Sequence, residues 1–180
     1  RIISGELKGR FIKVPQSDQI RPTTDRVRET LFNLLNNRLD FEGIKVLDLY
    51  SGSGALGIEC ISRGANEVTF VERNNFIYKN LLENIDSLHL TDRCKVYNME
   101  VTSFVNQQKE PGYNLILADP PFFKEDIYPA VESILNNKYL AEEGLLVIER
   151  SIQTKEKDIT EFKTEPFKII GDACLYQITG

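Results

Sequence analysis

The tetrapeptide Asp119-Pro120-Pro121-Phe122 closes the apolar run Leu115-Ile116-Leu117-Ala118. Each proline fixes its own φ, lacks an N–H and restricts the preceding residue to extended geometry, so consecutive carbonyls are held stiffly with little local donor to absorb them. A carboxylate, a rigid carbonyl and an aromatic ring in one short stretch suit the exocyclic amine of a nucleobase. Asp119 and the Pro120 carbonyl each take one N–H of the amine, and the Phe122 ring stacks on the base. Taken alone, the tetrapeptide reads equally well as a strand end with Phe122 in the core.

A second motif lies upstream. Val46-Leu47-Asp48-Leu49-Tyr50 reads as a buried strand and runs into Ser51-Gly52-Ser53-Gly54-Ala55-Leu56-Gly57, then a helical pattern. Strand, glycine turn and helix fit G-x-G-x-x-G, and Glu72 closes the next strand about twenty residues on, the spacing of an acid that accepts ribose hydroxyls. A dinucleotide site matches this pattern as well. Asp48 inside the first strand favours S-adenosylmethionine, because a nearby carboxylate suits a cationic sulfonium and repels a pyrophosphate. Glu100, just past Val96-Tyr97-Asn98-Met99, is placed to accept an adenine amino group, and it stands equally as a helix-start acid. Asp48, Tyr50, Gly52, Gly54, Glu72, Arg73 and Glu100 are the candidate cofactor contacts.

These residues need a scaffold. With 180 residues and 41% apolar content, the chain makes one domain with a sizeable core, and no run approaches the ~20 apolar residues of a membrane helix. Without a secretion signal, the expected location is the cytoplasm. Cys60, Cys94 and Cys174 are far apart and His89 is the only histidine, so neither a metal site nor a disulfide framework is expected. No cysteine flanks Pro120 and Pro121, which argues against methylation at a pyrimidine C5, where a thiolate is needed.

From residue 44 onward strands and helices alternate: strands at 44–50, 67–72, 94–99, 113–119 and 144–149, with helices at 54–63, 74–87, 101–108 and 125–138 between them. That is an α/β pattern, a mostly parallel sheet with helices on both faces. Phe167–Ile170 and Cys174–Ile178, joined by Gly171-Asp172, read as a hairpin that adds an antiparallel strand. At the other end, Ile2–Gly5 and Lys8–Val14 read as a basic β-hairpin, and Thr23 or Thr24 caps a helix carrying Val27, Leu31, Leu34 and Leu35. The organisation expected is a single domain over 1–180, with a hairpin and loop extension at 1–22 and a catalytic core at 23–180.

The net charge of −5 is unevenly spread. Between Arg1 and Arg38 eight basic residues face four acidic ones, a net +4, which leaves −9 on the remainder. Such asymmetry marks an interaction arm on an acidic body. Arg10, Arg21 and Arg28 are the candidate phosphate contacts, although the segment bearing Arg21 and Arg28 also stands where it would fold over the methionine end of a cofactor.

Arg21-Pro22-Thr23-Thr24-Asp25-Arg26-Val27-Arg28-Glu29, the stretch Leu47–Gly57, Ser62-Arg63-Gly64-Ala65 and Asp119-Pro120-Pro121-Phe122 together resemble the bacterial 16S ribosomal RNA (guanine-N2)-methyltransferase family over nearly the whole chain. The resemblance implies a seven-stranded Rossmann-like class I methyltransferase fold, S-adenosylmethionine as donor and one guanine of 16S ribosomal RNA as acceptor. Three positions depart from the family pattern: Tyr50-Ser51 for Phe-Ala, Cys60 for Ala, and Glu100 for a shorter Asp or Asn. A monomer acting on the assembled or assembling small ribosomal subunit is expected. The clamp and glycine motifs alone also fit an adenine-N6 or protein amino-methyltransferase. A non-catalytic RNA-binding or dinucleotide-binding domain would keep the glycine turn but has no need of the clamp.

Overall fold

The computed structural model describes residues 1–16, 24–107, 112–121 and 124–180. Arg21, Pro22, Thr23 and Phe122 lie outside the described residues. Seven strands form one sheet: β1 Lys45–Leu49, β2 Glu67–Val71, β3 Cys94–Tyr97, β4 Tyr113–Ala118, β5 Leu140–Ser151, β6 Lys168–Ile170 and β7 Ala173–Thr179. Their order is β3-β2-β1-β4-β5-β7-β6. The first five pair in parallel, and β7 lies antiparallel between β5 and β6. The chain winds one way from β1 to β3 and the other way from β4 onward, so the strand order reverses between β1 and β4. Open α/β sheets bind ligands beyond the strands' carboxyl ends at such a reversal.

Helices α1 Asp25–Asn36, α2 Ala55–Ser62 and α3 Asn75–Ser87 cover one face, and α4 Val101–Val105, α5 Ile127–Asn136 and α6 Lys155–Phe162 cover the other. Each face has its own apolar cluster. In β1 the alternation of a strand sends Val46 to the first cluster and Leu47 and Leu49 to the second, which leaves Asp48 on the α2 side. Thr24 caps α1, its hydroxyl accepting from the Val27 N–H.

The sequence pattern differs from the structure at three places. No strand forms among the described residues before β1. Ile2 and Arg10 do face each other, with the Ile2 N–H donating to the Arg10 carbonyl at 2.9 Å. Gly9 N–H likewise donates to the Ile2 carbonyl, but four donors of the expected hairpin go to α2 instead. Ile3 and Ser4 N–H groups donate to the buried Glu59 carboxylate, Glu6 N–H to the Ser62 carbonyl, and Leu7 N–H to the Ser62 hydroxyl. Helix α6, which carries no strong apolar period, is an addition, and β5 begins at Leu140 rather than 144.

Packing of α2 on β2 leaves no room beside Gly57. A Cβ there would stand 2.3 Å from Phe70 Cε1 and 2.9 Å from Val68 Cγ1, both on buried side chains of β2. Gly57→Ala therefore overpacks this contact and is expected to destabilise the fold by about 1–3 kcal/mol. Denaturant unfolding checks it: an unchanged midpoint would mean that α2 shifts freely on the sheet.

Candidate active site

The chain leaves β1 through Tyr50, whose φ of 56° is left-handed, and enters α2 through Gly54, with φ 90°. A Cβ on Gly54 would lie 2.4 Å from Leu81 Cδ1, so both backbone conformation and space call for glycine there. Ser51 staples the turn to β2: its N–H donates to the Val71 carbonyl, and its hydroxyl accepts from the Val71 N–H and donates to the Asp48 carbonyl. The sequence flagged Ser51 only as a departure from Ala. The hydroxyl adds to the backbone link between the turn and β2 at this end of the sheet.

Glu72 sits at the end of β2 and grips the turn. Its Oε1 accepts from the Gly52 N–H at 3.0 Å and its Oε2 from the Asn74 N–H at 2.8 Å. Each oxygen retains a second lone pair for a further donor, as a ribose hydroxyl would supply. Asn98 fixes the same corner by donating its amide to the Glu72 and Arg73 carbonyls. Nothing in the sequence pattern singled out Asn98, which comes from the end of β3.

Asp48 is 2% exposed, and its Oδ2 accepts from the Gly57 N–H at 3.0 Å, so it anchors the first turn of α2. Burial pushes its carboxyl well above the ordinary carboxylate range, the Gly57 amide opposes this, and the charges of Asp119 and Glu72 push further up. The sequence placed Asp48 inside a buried strand, as a carboxylate near the turn. The structure gives it a buried, helix-anchoring position from which it feels the other two carboxylates.

Across the crevice, Asp119 follows β4 and Pro120 is buried. The Pro121 carbonyl accepts from the Lys124 N–H at 3.0 Å, and the Lys124 carbonyl accepts from Arg150 Nη1 at 3.0 Å. Arg150 is 5% exposed and donates through Nε to both oxygens of Asp158 at 3.1 Å, while the Tyr128 and Thr154 hydroxyls donate to the same carboxylate. The far end of the clamp is thus tied to β5 and α6. Arg150, Asp158 and Lys124 were not legible as site residues.

Glu100 is the N-cap residue of α4, but its side chain makes no capping bond. Its carboxylate pairs instead with Arg73 at 3.8 Å and with Lys124 at 3.4 Å, and Lys124 also reaches Asp126 at 3.5 Å. An adenine amino group would meet Glu100 only in competition with these cations. The Tyr50 hydroxyl is buried, and burial together with the Asp126 charge pushes its pKa up.

On the arm, Arg10 is exposed. Arg28 is not: at 5% exposure its Nη2 donates to the Arg1 carbonyl at 2.6 Å and to Asp25 at 2.9 Å. This corrects its assignment as a phosphate contact, because its guanidinium joins the chain's first residue to α1. Among the described residues no group of three or more His, Cys, Asp or Glu is arranged to hold a metal ion, and no helix is long and apolar enough to cross a membrane.

A family profile described as conserved hypothetical protein 95 matches residues 1–178. Ribosomal RNA small subunit methyltransferase D of Escherichia coli strain K12 is 37% identical over 153 residues, covering 85% of this chain and 75% of that protein. A putative rRNA methyltransferase of Bacillus subtilis strain 168, YlbH, is 33% identical over 186 residues and covers 100% of both chains. Among solved structures, a putative methyltransferase from Escherichia coli superposes with a TM-score of 0.80 at 34% identity, over 98% of this chain and 96% of that one.

The raised Asp48 pKa has a consequence for stability. A folded-state value above the unfolded one means that the folded protein keeps a proton the unfolded chain has released, so stability falls as pH rises between the two values. Asp48→Asn keeps an acceptor for Gly57 and removes the titration. The variant is expected to match the parent as pH approaches the ordinary carboxylate value and to unfold later than the parent at neutral pH. Thermal unfolding over a pH series checks it, and a gap that widens toward low pH would contradict the sign.

Proposed function

This chain belongs to the conserved hypothetical protein 95 family, that of ribosomal RNA small subunit methyltransferase D, and on that premise we propose that it transfers a methyl group to the exocyclic N2 amine of a guanine in 16S ribosomal RNA. What supports this reading is the position of Asp119 and Pro120 at the end of β4, on one side of the strand-order reversal whose other side carries the glycine turn and Glu72. The residues fit S-adenosylmethionine. Burial, with a smaller contribution from the charges of Asp119 and Glu72, makes the Asp48 carboxyl costly to ionise, and a cationic ligand in the crevice offsets that cost. Glu72 offers its spare lone pairs to ribose hydroxyls, and the N–H-bearing turn at Gly52–Gly54 needs no pyrophosphate to complete it. Bound there, S-adenosylmethionine supplies an electrophilic methyl group.

The guanine 2-amino lone pair is delocalised into the ring and is a poor nucleophile. Asp119 and the Pro120 carbonyl accept its two N–H groups, which favours a pyramidal nitrogen with its lone pair directed out of the ring plane. Holding that geometry supplies much of the rate. As the N–C bond forms and the methyl–sulfur bond breaks, its electron pair staying on sulfur, Asp119, the carboxylate already accepting an amine N–H, would take the proton. Phe122 stacks on the base and Arg10 neutralises a backbone phosphate. Such an amine is reached in an unstacked base, hence in a loop or a flipped nucleotide. The protein acts as a monomer in the cytoplasm, and because the body is acidic it prefers a small subunit or its assembly intermediate to naked RNA.

Incubation with labelled S-adenosylmethionine and either 16S ribosomal RNA, small subunits, DNA or protein, followed by nucleoside analysis, tests the reading. N2-methylguanosine from RNA supports it, whereas N6-methyladenosine or labelled protein refutes it. Glu72→Ala is expected to weaken cofactor binding by about 1–3 kcal/mol in calorimetry, because charge-assisted bonds to two hydroxyls are lost. Asp119→Ala is expected to leave that affinity nearly intact and to lower kcat by roughly two orders of magnitude or more. Equal loss of binding and turnover would make Asp119 structural.

A further inference from the structure

Among the described residues two phenylalanine rings stand in solvent, Phe11 at 77% and Phe76 at 66% exposure. Phe11 lies among Lys8, Arg10 and Lys13, all exposed, on the arm whose net positive charge contrasts with the acidic remainder. The ring is presented by backbone held on both sides. Before it, Ile2 N–H donates to the Arg10 carbonyl and Gly9 N–H to the Ile2 carbonyl, each at 2.9 Å. After it, the Lys13 N–H donates to Asn84 Oδ1, and the Lys13 carbonyl accepts from the amides of Asn80 and Asn84, all at 2.9 Å. Both asparagines are buried, and Ile12 packs against the core. Phe76 precedes Asn80 by four residues on α3, so it lies one turn from this clasp on the same helix face.

A fixed segment that points a ring outward beside cations has the chemistry of a platform for an unpaired nucleobase: the ring stacks and the cations hold the backbone. We infer that Phe11 and Phe76, framed by Lys8, Arg10 and Lys13, stack on unpaired bases of the RNA strand that carries the target guanine. The inference rests on the proposed function, because an acceptor amine presented in an unstacked base leaves neighbouring bases unpaired and in need of partners.

The chain contains no tryptophan, so Phe11→Trp places a single reporter at the platform. Titration with a 16S ribosomal RNA transcript is expected to quench its emission. Phe11→Ala and Phe11→Leu are both expected to weaken RNA binding about 5- to 100-fold, with Phe76→Ala lower in the same direction. The slope of log affinity against log salt should stay at the parent value for the phenylalanine variants, whereas Arg10→Ala should lower it by about 0.7–0.9. Cofactor affinity and thermal midpoint should not move.

Undiminished binding by Phe11→Leu, an altered salt slope in Phe11→Ala, or RNA binding without quenching overturns the platform. So does quenching by ribosomal protein alone, which would make the surface a protein contact. If methyl transfer to RNA persists while the Phe11 variants behave as the parent, only the platform fails. If the parent neither binds nor methylates ribosomal RNA, the proposed function fails with it.

Discussion

The buried Asp48 carboxyl at the carboxyl edge of the sheet is the constraint on which the glycine turn depends. Asp48 arrives there on β1, with Glu72 and Asp119 just past β2 and β4, and burial first, then the charges of Asp119 and Glu72, raise the cost of ionising Asp48. The fold answers with backbone N–H groups. Gly57 serves Asp48, while Gly52 and Asn74 serve Glu72. Gly57 has its N–H available in the first turn of α2, Asn74 as the N-cap residue of α3, and Gly52 in the glycine turn itself. Tyr50 in a left-handed conformation and the tight α2–β2 contact at Gly57 are consequences of setting the turn there.

The opposite wall is held by a different device. A buried Arg150–Asp158 pair is costly to desolvate and is weak ground for stability by itself. Here the remaining hydrogen-bonding capacity is used: Asp158 also accepts from Tyr128 and Thr154, and the guanidinium reaches the Lys124 carbonyl. The pair therefore specifies where the turn after the clamp must lie. Lys124 adds a second tie through Glu100 and Asp126, so the walls of the crevice are linked by charges as well as by the sheet.

The parallel sheet, the glycine turn and the C-terminal hairpin were legible because each is written in local periodicity and turn residues. What escaped was written in long-range pairing. Asn98, Arg150 and Asp158 act on residues more than one element away or on backbone groups, and no spacing rule marks them. The N-terminal alternation was real, yet Glu59 and Ser62 compete for the same N–H groups and win, since a carboxylate acceptor makes a stronger bond than a lone two-stranded ladder would. Arg28 was misjudged for a related reason: its sequence neighbours are charged, but its partner is the carbonyl of residue 1.

One amide joins the two halves of the proposed chemistry. Asn84 Nδ2 donates to the Lys13 carbonyl of the arm at 2.9 Å and to the Ser53 carbonyl of the glycine turn at 3.0 Å. Its Oδ1 receives the Lys13 N–H. Anything that displaces the arm must break bonds to a buried side chain that also fixes the turn, and anything that reshapes the turn acts back on the arm through the same atoms. Linkage makes such an effect reciprocal in binding free energy. The arm is thus built as an extension of the glycine turn, and a ligand seated in the crevice and a nucleic acid resting on Arg10 and Lys13 would bear on the same hydrogen-bonded side chain.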